Sequence, residues 1–235
     1  MTYIQDLEKN GFAIIENVLS ENGVHNILDE ISAITENFSK DAHGIRDILK
    51  KSPFILDFGL RSDLFKMVCN IYETPVSLVK ATYFNKTPDV NWKVPYHQDV
   101  TILVKQKLEA EGFGPWTIKE DIHHVQAPQN VLDNVTAVRC HLDENSEDNG
   151  TIKVIPASHK QGKLTAAELR DIYSEKDEIV CYAPKGSIML MKPLLVHASS
   201  KGANPSNRRV LHFEYASHKL PHGLEWHECY TNETV

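Results

Sequence analysis

Apolar positions in the first third of the chain recur at helical intervals. Val24, Ile27, Leu28, Ile31 and Ile34 fall on one face of a 3.6-residue period, and Ser20 stands where an N-cap hydroxyl accepts from the first free amides. Leu64, Met67, Val68 and Ile71 repeat the spacing after Asp63, which predicts a second amphipathic helix. Ahead of both, GFAIIENVL reads as a short strand. From Val76 onward the period shortens to two: SLVKATYFNK, VTAVRCHL, TIKVI, GSIMLM, LLVHAS and RRVLHFEY are short β-rich runs bounded by Pro, Gly, Asn and Asp. The expected fold class is mainly β with flanking helices, a double-stranded β-helix (jelly roll, cupin-like) barrel. A single domain over 1–235 is expected, with a helical part over about 1–75, a jelly-roll core over about 76–217 and a C-terminal tail over 218–235.

Two segments depart from this alternation. Thr165 followed by Glu168 forms a capping box for a short helix, TAAELRDIY, set between strands on the outside of the barrel. Lys105 to Asp133 has no clear period and carries GFGPW and QAPQN, so it reads as a long functional loop placed to cover the mouth of a site.

Composition narrows the class without naming it. Hydrophobic residues make up 41% and charged residues 24%, the profile of an ordinary globular domain. The formal charge is −7 and no stretch concentrates Lys and Arg, which argues against nucleic acid as a partner. No run of 18 apolar residues and no basic-then-apolar start is present, so neither a membrane span nor a secretory signal is expected. Cys69, Cys140, Cys181 and Cys229 lack CxxC spacing and are expected to be free thiols, consistent with a cytoplasmic protein.

Candidate chemistry gathers in two of the β runs. YHQDVT places His97 and Asp99 two residues apart, hence on one strand face with Gln98 opposite, and His197 in LLVHASS follows 98 residues after Asp99. Two histidines and one carboxylate are the ligand set of a mononuclear non-haem iron(II) site, which leaves coordination positions free for chemistry. A bare HxD also arises from a surface histidine beside a turn-capping aspartate. The residues that accompany it weigh against that reading.

Arg208 lies eleven residues after His197, at the start of the next β run, where a guanidinium can hold a carboxylate bidentately. The distal carboxylate of 2-oxoglutarate requires such an anchor. Arg209 competes for the role. Alternation separates the two, since Arg208 shares a face with Val210, His212 and Glu214, and Arg209 with Leu211, Phe213 and Tyr215. The more polar face favours Arg208, and Ser199, on the face of His197, can add a hydroxyl to the same carboxylate.

With these residues in view, the chain resembles the phytanoyl-CoA dioxygenase (PhyH-like) family of iron(II)/2-oxoglutarate oxygenases. The similarity runs from GFAIIENVLS through YHQD and HLDENSEDNGTIKVIPASH to HASSKGANPSNRRVLHFEY. It implies that His97, Asp99 and His197 bind iron and carry catalysis, and that Arg208, assisted by Ser199, binds 2-oxoglutarate. Asp143, Asn149, Gly150, Pro156, Ser158 and His159 match a further family segment, in which Ala157 replaces the usual Gly. His159 is then a structural hydrogen-bonding residue. The resemblance also implies a dioxygenase using O2 as second cosubstrate and releasing succinate and CO2. An intact Asp99 points to hydroxylation, because related halogenases lose this carboxylate.

Substrate-lining candidates are Arg139, which shares a strand face with His141 and Asp143, together with Lys86, Asn85 and Lys80 ahead of the HxD. In the 105–133 segment, Trp116, His124 and Gln126 are candidates for a lid contact, Trp116 equally for a packing anchor. Arg139 has the alternative reading of a structural ion pair. His218, His222, His227 and Cys229 lack zinc spacing and read as a His-rich surface tail. The expected partner is a small-molecule substrate, and no feature of the sequence sets an oligomeric state. Two other classes remain beside the oxygenase: a non-enzymatic metal- or small-molecule-binding jelly roll, and a cupin-like metal isomerase or hydrolase that has no need of Arg208.

Overall fold

The computed structural model describes residues 2–36, 44–87, 89–172, 178–203 and 207–233. Helix α1 (Tyr3–Asn10) leads into strand β1 (Phe12–Ile15), and α2 (Glu21–Thr35) starts where Ser20 Oγ accepts the Gly23 amide at 3.1 Å. After β2 (Gly44–Ile45) come α3 (Ile48–Lys51), α4 (Pro53–Arg61) and α5 (Asp63–Tyr72). Helices α3 and α4 lie outside the two that the apolar spacing predicts. The rest is mostly strand: β3 (Ser77–Lys86), β4 (Val94–His97), β5 (Thr101–Val104), β6 (Trp116–Lys119), β7 (Ile122–Gln126), β8 (Val135–His141), β9 (Ile152–Val154), β10 (Ile179–Val180), β11 (Ile188–Met191), β12 (His197–Ser199) and β13 (Arg208–Ala216). Short helices α6 (Gln129–Leu132) and α7 (Ala166–Ile172) interrupt them.

A six-stranded antiparallel sheet, β1-β11-β8-β13-β3-β2, faces a four-stranded one, β10-β9-β12-β4, across an internal cavity, giving the expected jelly roll. Residues on β13 explain why the large sheet has two distinct faces. Leu211, Phe213 and Tyr215 are fully buried against the helices, with Ile27, Ile31, Leu60, Leu64 and Val68 in the same cluster. Each such side chain contributes about 1.5–3 kcal/mol of hydrophobic burial. The Tyr215 hydroxyl donates to the Gly59 carbonyl at 2.8 Å, and a Cβ on Gly59 would stand 2.7 Å from Leu78, so only glycine lets α4 come this close. Arg208, His212 and Glu214 point the other way, into the cavity.

Two sequence expectations are corrected here. Residues 105–133 are not a loop: β6 and β7 form a hairpin that joins β5 in a third sheet, β5-β7-β6. Its turn residues Glu120 and Asp121 both have positive φ, at 52° and 60°, a backbone usually signalled by Asn-Gly. Nor is 218–233 a surface tail. Leu220, Leu224 and Trp226 are buried in a second core with Val104, Val125 and Leu132, and Tyr230 pairs with Leu78. His218 and His222 are exposed and join no metal-binding group among the described residues.

The capping box on α7 is formed by reciprocal bonds between Thr165 and Glu168, and no residue of that helix is buried. All four cysteines are free. Among the described residues no helix is long and apolar enough to cross a membrane.

Candidate metal centre

His97 ends β4 and lies opposite His197, the first residue of β12, so cross-strand pairing brings the two rings to 4.2 Å between centroids. Asp99 lies past the end of β4, not within the strand, and its amide donates to the Pro193 carbonyl at 2.8 Å. Its carboxylate meets both rings: Oδ1 is 3.5 Å from His97 Nε2 and Oδ2 is 3.5 Å from His197 Nε2. The three ligand atoms lie within 4.8 Å of one another.

Each imidazole donates from Nδ1 to a carbonyl two residues back, His97 to Pro95 and His197 to Leu195, both at 2.9 Å. A carbonyl can only accept, so each Nδ1 carries a proton and Nε2 is the nitrogen each ring turns toward Asp99. Gln98 points away from this face. It is buried, donates to the carbonyls of Gly162 and Leu194, and accepts the Leu164 amide, which fixes the backbone between the two ligands.

Burial alone would push the Asp99 carboxyl up, yet His197 and His97 more than offset it and hold it well below the usual carboxylate range. Burial carries His197 down to about 4, keeping that imidazole neutral. Burial also works against a charged His97, but the hydrogen bond and charge of Asp99 raise it overall. An ionised carboxylate and two available nitrogens form the facial set that iron(II) accepts.

Arg208 is 6% exposed and lines a chamber of about 210 Å³ beside the triad. Its Nε and Nη1 have no hydrogen-bond partner among the described residues. Lys86 lies directly opposite it on β3, with Nζ donating to Ser199 Oγ and the Ser200 carbonyl, each at 2.9 Å, and facing the Trp92 ring at 5.4 Å. Arg139 faces the same space, with Nη1 3.4 Å from His212 Nδ1 and Nε without a partner. Burial, then Arg208 and Arg139, depress Lys86 to about 7, and burial followed by Arg139 brings Arg208 down to about 9. Three cations with no ion-paired acid among the described residues make a receptor for an anion. Arg209 is committed elsewhere, donating from its amide, Nε and Nη2 to Asp143.

A second chamber of about 360 Å³ opens on the other side of His97 and Asp99. Lys80, paired with Glu214 at 2.6 Å, borders both spaces. The β6–β7 hairpin walls the outer chamber through Lys119, Glu120, Ile122 and His124, and Glu120 is bridged to Arg46 at 2.7 Å. Trp116 and Gln126 line neither space: Trp116 packs on the second core, and the Gln126 backbone bonds to Gly114 and Pro115. Asn85 also lies outside both chambers, and His159 sits at α1, 3.2 Å from the Glu8 carbonyl. The expectations did not include Arg46, Asp47 or Glu228, which also line the outer chamber.

The phytanoyl-CoA dioxygenase (PhyH) family model matches residues 7–210, a span that holds the triad and Arg208. The chain belongs to the PhyH family. No curated protein matches this PhyH chain in sequence. Among solved structures it is similar to the non-heme alpha ketoglutarate dependent carbocyclase SnoK from nogalamycin biosynthesis, at 14% identity and TM-score 0.70, covering 92% of this chain and 83% of that one. AviO1 from Streptomyces viridochromogenes Tue57 aligns at 19% identity and TM-score 0.67, over 93% and 95%. EctD from S. alaskensis, crystallised with 2-oxoglutarate and 5-hydroxyectoine, aligns at 15% and 0.70, over 91% and 74%. At these identities the likeness is one of fold, and this PhyH chain's chemistry is argued from its own side chains.

Proposed function

We propose that this PhyH chain is an iron(II)- and 2-oxoglutarate-dependent dioxygenase that hydroxylates a small organic substrate. The observation that carries the reading is a pairing of sites: two histidines, each held as the Nδ1-protonated tautomer, converge with Asp99, and Arg208 presents two buried, partnerless nitrogens in the adjoining chamber. EctD crystallised with 2-oxoglutarate supports the same assignment.

His97, Asp99 and His197 would hold the metal, and Arg208 would take the distal carboxylate of 2-oxoglutarate in bidentate fashion, with Ser199 beside it. Iron(II), 2-oxoglutarate and O2 supply the oxidising chemistry, with succinate and CO2 as coproducts. The protein's own part is positional. The i−2 carbonyls keep both Nε2 atoms aimed inward, Gln98 anchors the backbone between His97 and Asp99, and the buried walls of β3, β8 and β13 keep bulk water from the inner chamber. Asp99 stays ionised and occupies the third position of the facial set, which supports hydroxylation as the outcome.

The test is anaerobic addition of iron(II), then 2-oxoglutarate, to metal-free protein while the visible spectrum is recorded. A weak metal-to-ligand charge-transfer band that requires both additions and disappears in Asp99→Ala is expected. No band in the intact protein overturns the reading.

A further inference from the structure

The outer chamber carries information about the primary substrate, and the inference rests on the oxygenase reading above. Charged side chains make up much of its wall, with only Phe84 among aromatics. Half of those charges cancel in pairs, Arg46 with Glu120 and Lys80 with Glu214, and Asp99 faces the two histidines. Lys119 is exposed on the hairpin, where water screens it.

Among the described residues Asp47 has no ion pair, and Glu228 has only a long one, with Lys50 at 3.9 Å. Glu228 is 4% exposed and lines the chamber. One oxygen, Oε1, has long contacts only, 3.5 Å from the Tyr230 hydroxyl and 3.9 Å from Lys50 Nζ, and Oε2 has no hydrogen bond or ion pair among the described residues. Lys50 is engaged more closely by His227 at 3.0 Å. Asp47 is half-buried, stands at the N-cap of α3 and makes no capping bond with its side chain. Burial raises the Glu228 carboxyl; Lys50 offsets part of that rise, and Asp47 adds a smaller push in the raising direction. A buried carboxylate beside a second one calls for a positive charge from outside the protein.

We propose that the primary substrate is a small hydrophilic amine, whose ammonium group is received by Glu228 and Asp47 while another of its carbons is presented to the metal centre. The same wall rejects a long acyl chain, because a lipid would have to desolvate several ionised side chains without compensating them.

The experiment measures succinate formation by iron-loaded protein with 2-oxoglutarate, adding L-lysine, L-arginine, glucosamine, the fully acetylated controls Nα,Nε-diacetyl-L-lysine and N-acetylglucosamine, or palmitoyl-CoA. At least one free amine is expected to raise the rate tenfold over the substrate-free level, with its acetylated or acyl-CoA competitors inert. Glu228→Gln is expected to raise the KM for that amine at least tenfold while the 2-oxoglutarate charge-transfer band persists, and Asp47→Asn to raise it to a smaller extent. Stimulation by palmitoyl-CoA, equal stimulation by an acetylated counterpart, or none by any amine overturns the proposal. The charge-transfer band separates these failures from failure of the oxygenase reading, since only the latter removes it.

Discussion

Arg208 and Arg209 are neighbours in sequence with opposite fates: Arg209 donates three bonds to Asp143, whereas Arg208 keeps two buried nitrogens without a partner. Alternation along β13 turns one guanidinium out toward a protein carboxylate and the other in toward the chamber. Arg208→Gln is expected to weaken 2-oxoglutarate binding at least tenfold, by titration of the charge-transfer band, with the thermal midpoint of the metal-free protein unchanged or raised. Arg209→Gln is expected to leave 2-oxoglutarate binding within twofold and to cost about 1.5–3 kcal/mol of stability, by denaturant titration, the worth of a charged hydrogen-bond set.

Lys86 gives the metal-free protein a pH-dependent stability. An unfolded lysine keeps its proton up to about 10.4, while buried Lys86 releases it at about 7, so between those values the unfolded chain binds more protons. Stability therefore rises with pH above about 7. Lys86→Met is expected to flatten that rise between pH 7 and 9, read as thermal midpoint against pH. An equal slope in both proteins would remove Lys86 as its source.

Gln98→Ala separates support from ligation. The variant loses two donated bonds and one accepted bond inside the fold, at about 1 kcal/mol each and more where a carbonyl or amide is left unsatisfied. A loss of about 3 kcal/mol or more by chemical denaturation is expected, with iron binding weakened but retained. Asp99→Ala is expected to differ on the ligation side, losing iron binding that Gln98→Ala retains.

Ala157 occupies a left-handed backbone position, φ 62°, where the family's glycine carries no Cβ penalty. Ala157→Gly is expected to stabilise the protein by about 1 kcal/mol, seen as a higher denaturation midpoint with unchanged spectra. A lower midpoint would show that the added freedom of the unfolded chain outweighs the relieved strain.

The centre was legible because it is built on period two. His97 and His197 lie on paired strands, and the polar series Arg208, His212, Glu214 announces a face that cannot be core. Lys86 and Arg139 were visible for the same reason. The hairpin over residues 116–126 was not, because its turn is Glu-Asp and β6 is largely exposed, leaving neither a turn signal nor an apolar stripe. Gln126 was consequently misplaced as a lid contact, and of the two readings of Trp116 the packing anchor is the one the structure favours. Glu228 was illegible for a different reason: it lies in an irregular segment, where no period tells which way a side chain faces. The burial of Leu220, Leu224 and Trp226 beside it and the bridges of Trp226 to Val104 and Tyr230 to Leu78 orient that stretch.

That stretch is part of the domain's frame. Glu228 walls the outer chamber, Tyr230 is bridged to Leu78 and Trp226 to Val104, so cutting the chain before Leu220 would open the substrate space and uncover the second core at once.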